Sequence, residues 1–293
     1  MNPSHNGARK EFVLRCRSGD LRLGERTLIM GVLNITPDSF SDGGLYFEPH
    51  KAIEHGLRMA EEGADIIDVG GESSRPGSDP VPLDEELKRI IPVIESLVTR
   101  LEIPISVDTY KSQVAEQAIE AGAQMINDIS GLRFDPQVPA VAARYDTPLI
   151  IMHIKGTPKT MQQDPLYEDL MGEIVDYLRE GIAKAEQGGV DPHQVIIDPG
   201  IGFGKRVQDN LLIINRLSEL NILGRPLLIG TSRKSFIGTV LGVEVHQRGI
   251  GTLASVAVSI LKGAHIVRVH DVASMRQTVD MVDAIINVEE WGR

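Results

Sequence analysis

The stretch Gly31-Val32-Leu33-Asn34-Ile35-Thr36-Pro37-Asp38-Ser39-Phe40-Ser41-Asp42-Gly43-Gly44 runs from an apolar strand into a polar loop ending in two glycines, with an asparagine at the junction. A short strand followed by such a loop is how an α/β enzyme presents chemistry at a strand's carboxyl end. The pattern then recurs. Hydrophobic runs end in Asp68-Val69-Gly70-Gly71-Glu72, Ser106-Val107-Asp108, Asn127-Asp128, Met152-His153, Asp198-Pro199-Gly200, Gly230-Thr231-Ser232 and Arg268-Val269-His270-Asp271. Eight strands that each finish in a polar or charged group predict a ring of side chains aimed at one ligand.

Working outward, the candidate strands span about 28–36, 66–72, 104–109, 125–130, 148–153, 195–199, 226–231 and 265–270. Amphipathic helices are expected between them. Leu83, Leu87, Ile90, Ile91, Ile94, Leu97 and Val98 recur at helical spacing in one, where Pro92 predicts a kink. Leu170, Ile174, Leu178, Ile182 and Ala185 mark another, and Val272, Met275, Val279, Val282 and Ile286 the last. Three hexapeptides repeat: Gly63-Ala64-Asp65-Ile66-Ile67-Asp68, Gly122-Ala123-Gln124-Met125-Ile126-Asn127 and Gly263-Ala264-His265-Ile266-Val267-Arg268. In each, glycine is placed to end a helix in the left-handed conformation before a strand begins. Near-continuous apolar strands need cover on both faces, so the expectation is an α/β fold, a closed (β/α)8 TIM barrel. The expected domain is single and spans 1–293, with 1–27 an N-terminal extension or strand hairpin capping the barrel. A doubly wound open sheet would call for a glycine-rich first crossover, which does not occur here.

At 293 residues the chain suits one enzyme-sized core. Cys16 is the one cysteine, which excludes a disulfide framework and points to a reducing, cytoplasmic setting. A net charge of −11 argues against a nucleic-acid or anionic-membrane surface over the whole molecule. Residues 1–10 lack the apolar centre of a signal peptide, and Leu253–Leu261 is far shorter than the roughly 20 residues of a membrane span.

Asn34, Asp108, Asn127, Asp198, Lys234, Arg268 and His270 all lie at or just beyond strand ends. Taken singly, Asp108 and Asn127 would read as helix caps or turn residues. Capping has no use for Arg268 and His270 in a strand, and burying a guanidinium is costly unless it meets an anion. Gly200-Ile201-Gly202-Phe203-Gly204-Lys205 lacks the spacing of a P-loop and reads as a tight loop around a flat ligand, with Phe203 available to pack on it. The eight histidines are scattered, without zinc-like spacing. His153 reads as a structural strand-end residue.

These motifs, together with Gly71-Glu72-Ser73-Ser74-Arg75-Pro76-Gly77, Asp108-Thr109-Tyr110-Lys111, Asn127-Asp128-Ile129-Ser130-Gly131, Gly156-Thr157-Pro158 and Ser232-Arg233-Lys234-Ser235-Phe236, resemble the dihydropteroate synthase family of pterin-binding enzymes, the sulfonamide target of folate synthesis. The likeness runs in order from about residue 28 to 290. Ser74 stands where the family commonly has threonine, a loss of one methyl, and Ile154-Lys155 precedes Gly156 where Met and a polar residue are usual.

The resemblance implies an enzyme joining 6-hydroxymethyl-7,8-dihydropterin diphosphate to p-aminobenzoate. It assigns catalysis to Asn34, Asp42, Lys234, Arg268 and His270. Asp198 would accept the pterin's paired donors, with Asn127 beside it, Asp108 opposite and Lys234 toward the ring oxygen; Met152 and Phe203 would also contact substrate. Arg268, His270 and Asn34, the last through Mg2+ as cofactor, would face the diphosphate. Phe40, Pro76 and Ser235 would line the p-aminobenzoate pocket, Ser74 would bind substrate, and Asp42 and Arg75 would order the loops at about 36–44 and 73–79 as a lid. The partners implied are these small molecules and a second copy of the chain in a homodimer, with neither nucleic acid nor membrane. The other readings are a pterin-binding methyltransferase barrel, which has no use for a diphosphate cluster, and a non-catalytic pterin-binding homologue, which could dispense with the loops.

Overall fold

Residues 9–36 and 49–288 are described by the computed structural model. An antiparallel hairpin, β1 (Phe12–Leu14) and β2 (Leu21–Leu23), precedes the barrel. The barrel strands are β3 (Leu28–Asn34), β4 (Ile66–Gly70), β5 (Ile105–Asp108), β6 (Met125–Asp128), β7 (Leu149–Met152), β8 (Val195–Asp198), β9 (Leu228–Ile229) and β10 (Ile266–Val269). They pair in parallel in the order β8-β7-β6-β5-β4-β3-β10-β9, and the isolated bridge Ile197–Leu227 closes the ring. This is the expected (β/α)8 barrel. Each strand is somewhat shorter than its expected range, and the seventh barrel strand shrinks most, to two residues. Pro226 lacks the N–H a ladder needs, and its carbonyl instead accepts from Ile197 N at 3.0 Å.

The helices are α1 (Pro49–Glu61), α2 (Leu83–Val98), α3 (Ser112–Glu120), α4 (Val138–Arg144), α5 (Leu170–Gln187), α6 (Val207–Asn215), α7 (Ser235–Leu241), α8 (Gly249–Leu261) and α9 (Val272–Ile286). α2 runs unbroken through Pro92, its apolar stripe of Ile90, Ile94 and Leu97 buried against the strands. The repeated glycines do what their spacing predicts. Gly63, Gly122 and Gly263 have φ of +99°, +112° and +103°. In each case the next residue's N–H reaches back five residues, as in Ala64 N to Met59 O at 2.9 Å, Ala123 N to Ala118 O at 2.9 Å and Ala264 N to Ser259 O at 3.0 Å. That is a Schellman stop, which satisfies carbonyls the helix end would otherwise orphan. α5 ends the same way without the repeated Gly-Ala, through Val190 N to Ala185 O at 3.0 Å.

Side chains alternate along each strand, so residues two apart share a face. Met30, Ile66, Met125, Ile150, Ile196, Leu228 and Ile266 point inward and form an apolar floor. Leu14 and Leu23 of the hairpin, both fully buried, cover that floor from below. The next inward residue is Asp68, Asn127, Met152, Asp198 or Arg268 on five of these strands, Val32 on β3 and Gly230 just past the end of β9. On four of the seven strands one pleat therefore takes the interior from hydrocarbon to a polar or charged group.

Candidate active site

Register sets the first neighbours. Asn34 lies beside Gly70, Gly70 beside Asp108, Asp108 beside Asn127, and Met152 beside Asp198. Gly70 leaves a notch, since a Cβ there would meet Asp108 Cβ at 3.4 Å and Asn34 Oδ1 at 3.7 Å. Arg268 reaches across from β10. Its Nε donates to Asp68 Oδ2 and its Nη2 to Asp108 Oδ2, both at 2.6 Å. Asn127 Nδ2 donates to the same Asp68 oxygen at 3.0 Å. The anions that make burial of this guanidinium tolerable are thus the protein's own carboxylates. Burial opposes the charge on Arg268, but Asp68 and Asp108 raise its pKa further. Asp108 is held above the usual carboxylate range by burial and by the second carboxylate, Asp68, against the pull of Arg268. Asp68 Oδ1 and the neighbouring Ser106 Oγ are buried with no hydrogen-bond partner among the described residues.

Opposite this cluster, Asp198 Oδ1 accepts from Gly200 N at 2.6 Å. Burial pushes the Asp198 carboxyl up to about 6, while the Gly200 N–H and the charges of Lys234 and Lys205 pull it down. Gly200 is required here, because a Cβ would fall 1.9 Å from His153 O. Lys234 Nζ lies 4.2 Å from the centroid of the Phe203 ring, a cation–π contact. Desolvation, reinforced by Arg268, brings Lys234 down to about 8. Phe203 joins Ile129, Met152, Ile154 and Met161 in an apolar wall beside the charged groups.

His270 is oriented by Ser232. The His270 backbone N–H donates to Ser232 Oγ at 3.3 Å, and the same oxygen lies 3.0 Å from His270 Nδ1. The Ser232 hydroxyl can give its proton to Nδ1, and in that tautomer the ring hydrogen is on Nε2. Burial, with Arg268, Arg233, Lys234 and Arg75 nearby, pushes His270 down to about 3. The ring is neutral, and in the tautomer that accepts from Ser232 its Nε2–H is a donor.

Asn34, Asp108, Asn127, Met152, Asp198, Phe203, Lys234, Arg268 and His270 therefore face one mouth. Ser74 is half-buried, while Arg75, Pro76 and Ser235 are exposed at its rim. Phe40, Asp42 and most of the first loop lie outside the described residues. The second loop is held at its tip by Gly77 N to Pro158 O at 3.0 Å and by Lys159 Nζ to Asp79 at 2.6 Å. His153 is buried with Nδ1 2.8 Å from Lys205 Nζ and its ring against Tyr177, away from the charged cluster. Asp68 and Ser232 are site residues that the sequence reading missed. A signal for Asp68 exists, because it ends the first hexapeptide repeat where Asn127 and Arg268 end the others.

The sequence profile of the pterin binding enzyme family matches residues 30–270. A dihydropteroate synthase of a Synechocystis species is 49% identical, over 89% of this chain and 91% of that protein. Among solved structures, Xanthomonas albilineans dihydropteroate synthase with 4-aminobenzoic acid superposes with a TM-score of 0.88 at 42% identity, over 95% of this chain and 99% of that one. The same organism's enzyme in complex with 7,8-dihydropteroate gives a TM-score of 0.85 at 41% identity, over 94% and 99%.

Proposed function

The chain belongs to the pterin-binding enzyme family, as a transferase of its dihydropteroate synthase branch, and on that premise we propose that it condenses 6-hydroxymethyl-7,8-dihydropterin diphosphate with p-aminobenzoate to 7,8-dihydropteroate and diphosphate. The observation that carries the reading is the buried mouth in which Asp198 stands opposite the bonded cluster of Asn127, Asp68, Arg268 and Asp108. A pterin edge offers an amide-like N–H and an exocyclic amine, and a dry carboxylate can accept both. Gly200 N–H holds Asp198 for that task. Asn127 gives one amide hydrogen to Asp68, which leaves its oxygen as an acceptor and its second hydrogen as a donor. Lys234, over Phe203, supplies a donor to the ring oxygen.

At the other end, His270 donates through Nε2–H and Arg268 through its remaining N–H groups to the departing diphosphate. Asn34 fits an Mg2+ ligand in that its hard amide oxygen borders the notch over Gly70; one such oxygen suits an ion otherwise held by water and substrate phosphates. When bound, Mg2+ would neutralise charge on the leaving group. The methylene carbon loses diphosphate first, the electron-rich dihydropterin delocalises the cation, and the unprotonated aniline nitrogen attacks without a strong base, its surplus proton then passing to water. Loops 36–44 and 73–79 would exclude water meanwhile, with Phe40, Pro76 and Ser235 around p-aminobenzoate and Asp42 and Arg75 ordering the closure.

Homodimerisation is supported by exposed Val240, Leu241, Ile250, Val258, Leu261, Met281 and Ile285 on α7, α8 and α9, with α8 packed against both neighbours. A cytoplasmic setting is supported by the single cysteine. Among the described residues no helix is long and apolar enough to cross a membrane.

The test is to supply pterin diphosphate with and without p-aminobenzoate and follow diphosphate and dihydropteroate. Both products are expected with p-aminobenzoate, and diphosphate release without it marks departure before attack. No dihydropteroate from folded protein sinks the proposal. EDTA should abolish turnover and Mg2+ restore it; full activity in EDTA removes the metal role of Asn34.

A further inference from the structure

The second loop is bounded by Glu72 and Val81, and both ends converge on one lysine. Lys111 Nζ donates to Glu72 Oε2 at 2.7 Å, to Val81 O at 2.7 Å and to Glu86 Oε2 at 2.5 Å, so all three of its N–H groups are used. Glu72 Oε2 also accepts from Val81 N at 2.9 Å, which ties the two ends of the loop to each other. Tyr110 OH donates to Glu72 Oε1 at 2.8 Å, and Thr109 Oγ1 to Glu86 Oε1 at 2.9 Å. Burial raises the pKa of Glu86, which has only 1% of its side chain exposed, and Lys111 opposes that rise. Packing alone does not call for this arrangement. A lysine between the buried Glu86 and the partly buried Glu72 costs desolvation that an apolar side chain would avoid, and the best-attested return on such a cost is a fixed register.

We infer that Lys111 and Tyr110 are positioning residues that fix the base of loop 73–80, and through it Ser74, Arg75 and Pro76, on the p-aminobenzoate side of the site. The inference rests on the proposed function for what the loop binds, but the anchor itself stands on geometry. The tripeptide Thr109-Tyr110-Lys111 directly follows Asp108, which is bonded to Arg268 in the mouth. One short segment therefore joins the pterin end of the site to the loop that covers its other end.

The test uses the full chain with Lys111→Met, Lys111→Arg and Tyr110→Phe, read by steady-state kinetics, pterin calorimetry and backbone amide exchange. Lys111→Met should raise KM for p-aminobenzoate by about tenfold, equivalent to about 1.4 kcal/mol, while pterin affinity stays within about twofold. Amide exchange should accelerate at residues 74–81 and not at 266–270. Lys111→Arg should recover part of the effect, because its guanidinium can still bridge the two carboxylates. Tyr110→Phe, which leaves the lysine in place, should move the same quantities in the same direction by less. Pterin and p-aminobenzoate binding weakening in parallel, or loop exchange unchanged in Lys111→Met, would overturn the anchor. Wild-type protein that makes no dihydropteroate would defeat the proposed function instead, and the exchange measurement would still decide the anchor.

Discussion

The floor and the mouth of the barrel stand on the same strands, two residues apart, and treat their buried polar groups differently. Beneath the floor, His265 Nδ1 accepts from Leu227 N at 3.1 Å and its Nε2 pairs with Lys10 O at 3.0 Å. Asp283 accepts from Thr27 N, Thr27 Oγ1 and Arg9 Nη2 at 2.6, 2.8 and 2.8 Å. Each of these groups is satisfied, and the hairpin and last helix are held to the barrel as a result. In the mouth, Asp68 Oδ1 has no partner among the described residues, Lys234 faces a ring, and Arg268 is shared by two carboxylates. Hydrogen-bonding capacity left over in a dry site is capacity for a substrate. The difference teaches that similar burial serves stability at one end and chemistry at the other.

Arg268→Met gives the largest effect. Removing the group that faces the leaving diphosphate should lower turnover by two to three orders of magnitude, roughly 3–4 kcal/mol. Steady-state rates on folded variant settle it, and a loss of less than about tenfold would break the assignment of chemistry to the mouth.

Leu23→Ala is the counterpart at the floor. The cavity left under the barrel should cost roughly 2–5 kcal/mol of unfolding free energy in urea. The kcat/KM of the remaining folded enzyme should stay near wild type; a matching loss of kcat/KM would show that floor and mouth are not separable.

Acid titration sharpens the contrast by sign. Burial holds His265 down to about 4 from 6.5, with the Lys10 carbonyl opposing. The unfolded chain takes up that proton as pH falls through 6.5 and the native chain does not, so this stability is complete above 6.5 and is lost toward 4, up to about 3 kcal/mol. Asp198, pushed up to about 6 by burial, acts oppositely. Its native carboxyl takes a proton before the unfolded one, which adds stability as pH falls below 6 and withdraws it as pH rises. The difference in unfolding free energy between wild type and His265→Gln should therefore shrink from pH 7 to 4. A pH-independent difference would contradict the buried neutral ring.

Asp198→Asn should have the smallest effect. It turns an acceptor into a donor facing the pterin's own donors, and affinity measured by calorimetry should fall by roughly 1–3 kcal/mol. Stability at neutral pH should hold or rise, because a buried charge is relieved. Undiminished pterin affinity would remove Asp198 as the acceptor.

Much of this was legible in the chain because the signals are local. Apolar runs marked all eight strands, and α2 and α9 occupy the ranges their spacing predicts. What was not legible depended on partners. Asp68 reads as one more strand-end acid until Arg268 closes on it, and Ser232 has no visible role until His270 lies beside it. Lys111 ends the motif Asp108-Thr109-Tyr110-Lys111, yet nothing near it in sequence shows that it would join Glu72, Val81 and Glu86.

By itself the sequence determined the alternation of strands and helices, the Schellman stops at Gly63, Gly122 and Gly263, and the polar residue at each strand's end, since burial periodicity and backbone conformation act over a few residues. Only the tertiary structure decided which of those ends would meet. Arg268 pairs with Asp68 across 200 residues and with Asp108 across 160 because closing the ring sets β10 beside β3 and turns their inward side chains on one another. Separation along the chain carries no information about such neighbours; barrel closure and strand register supply it.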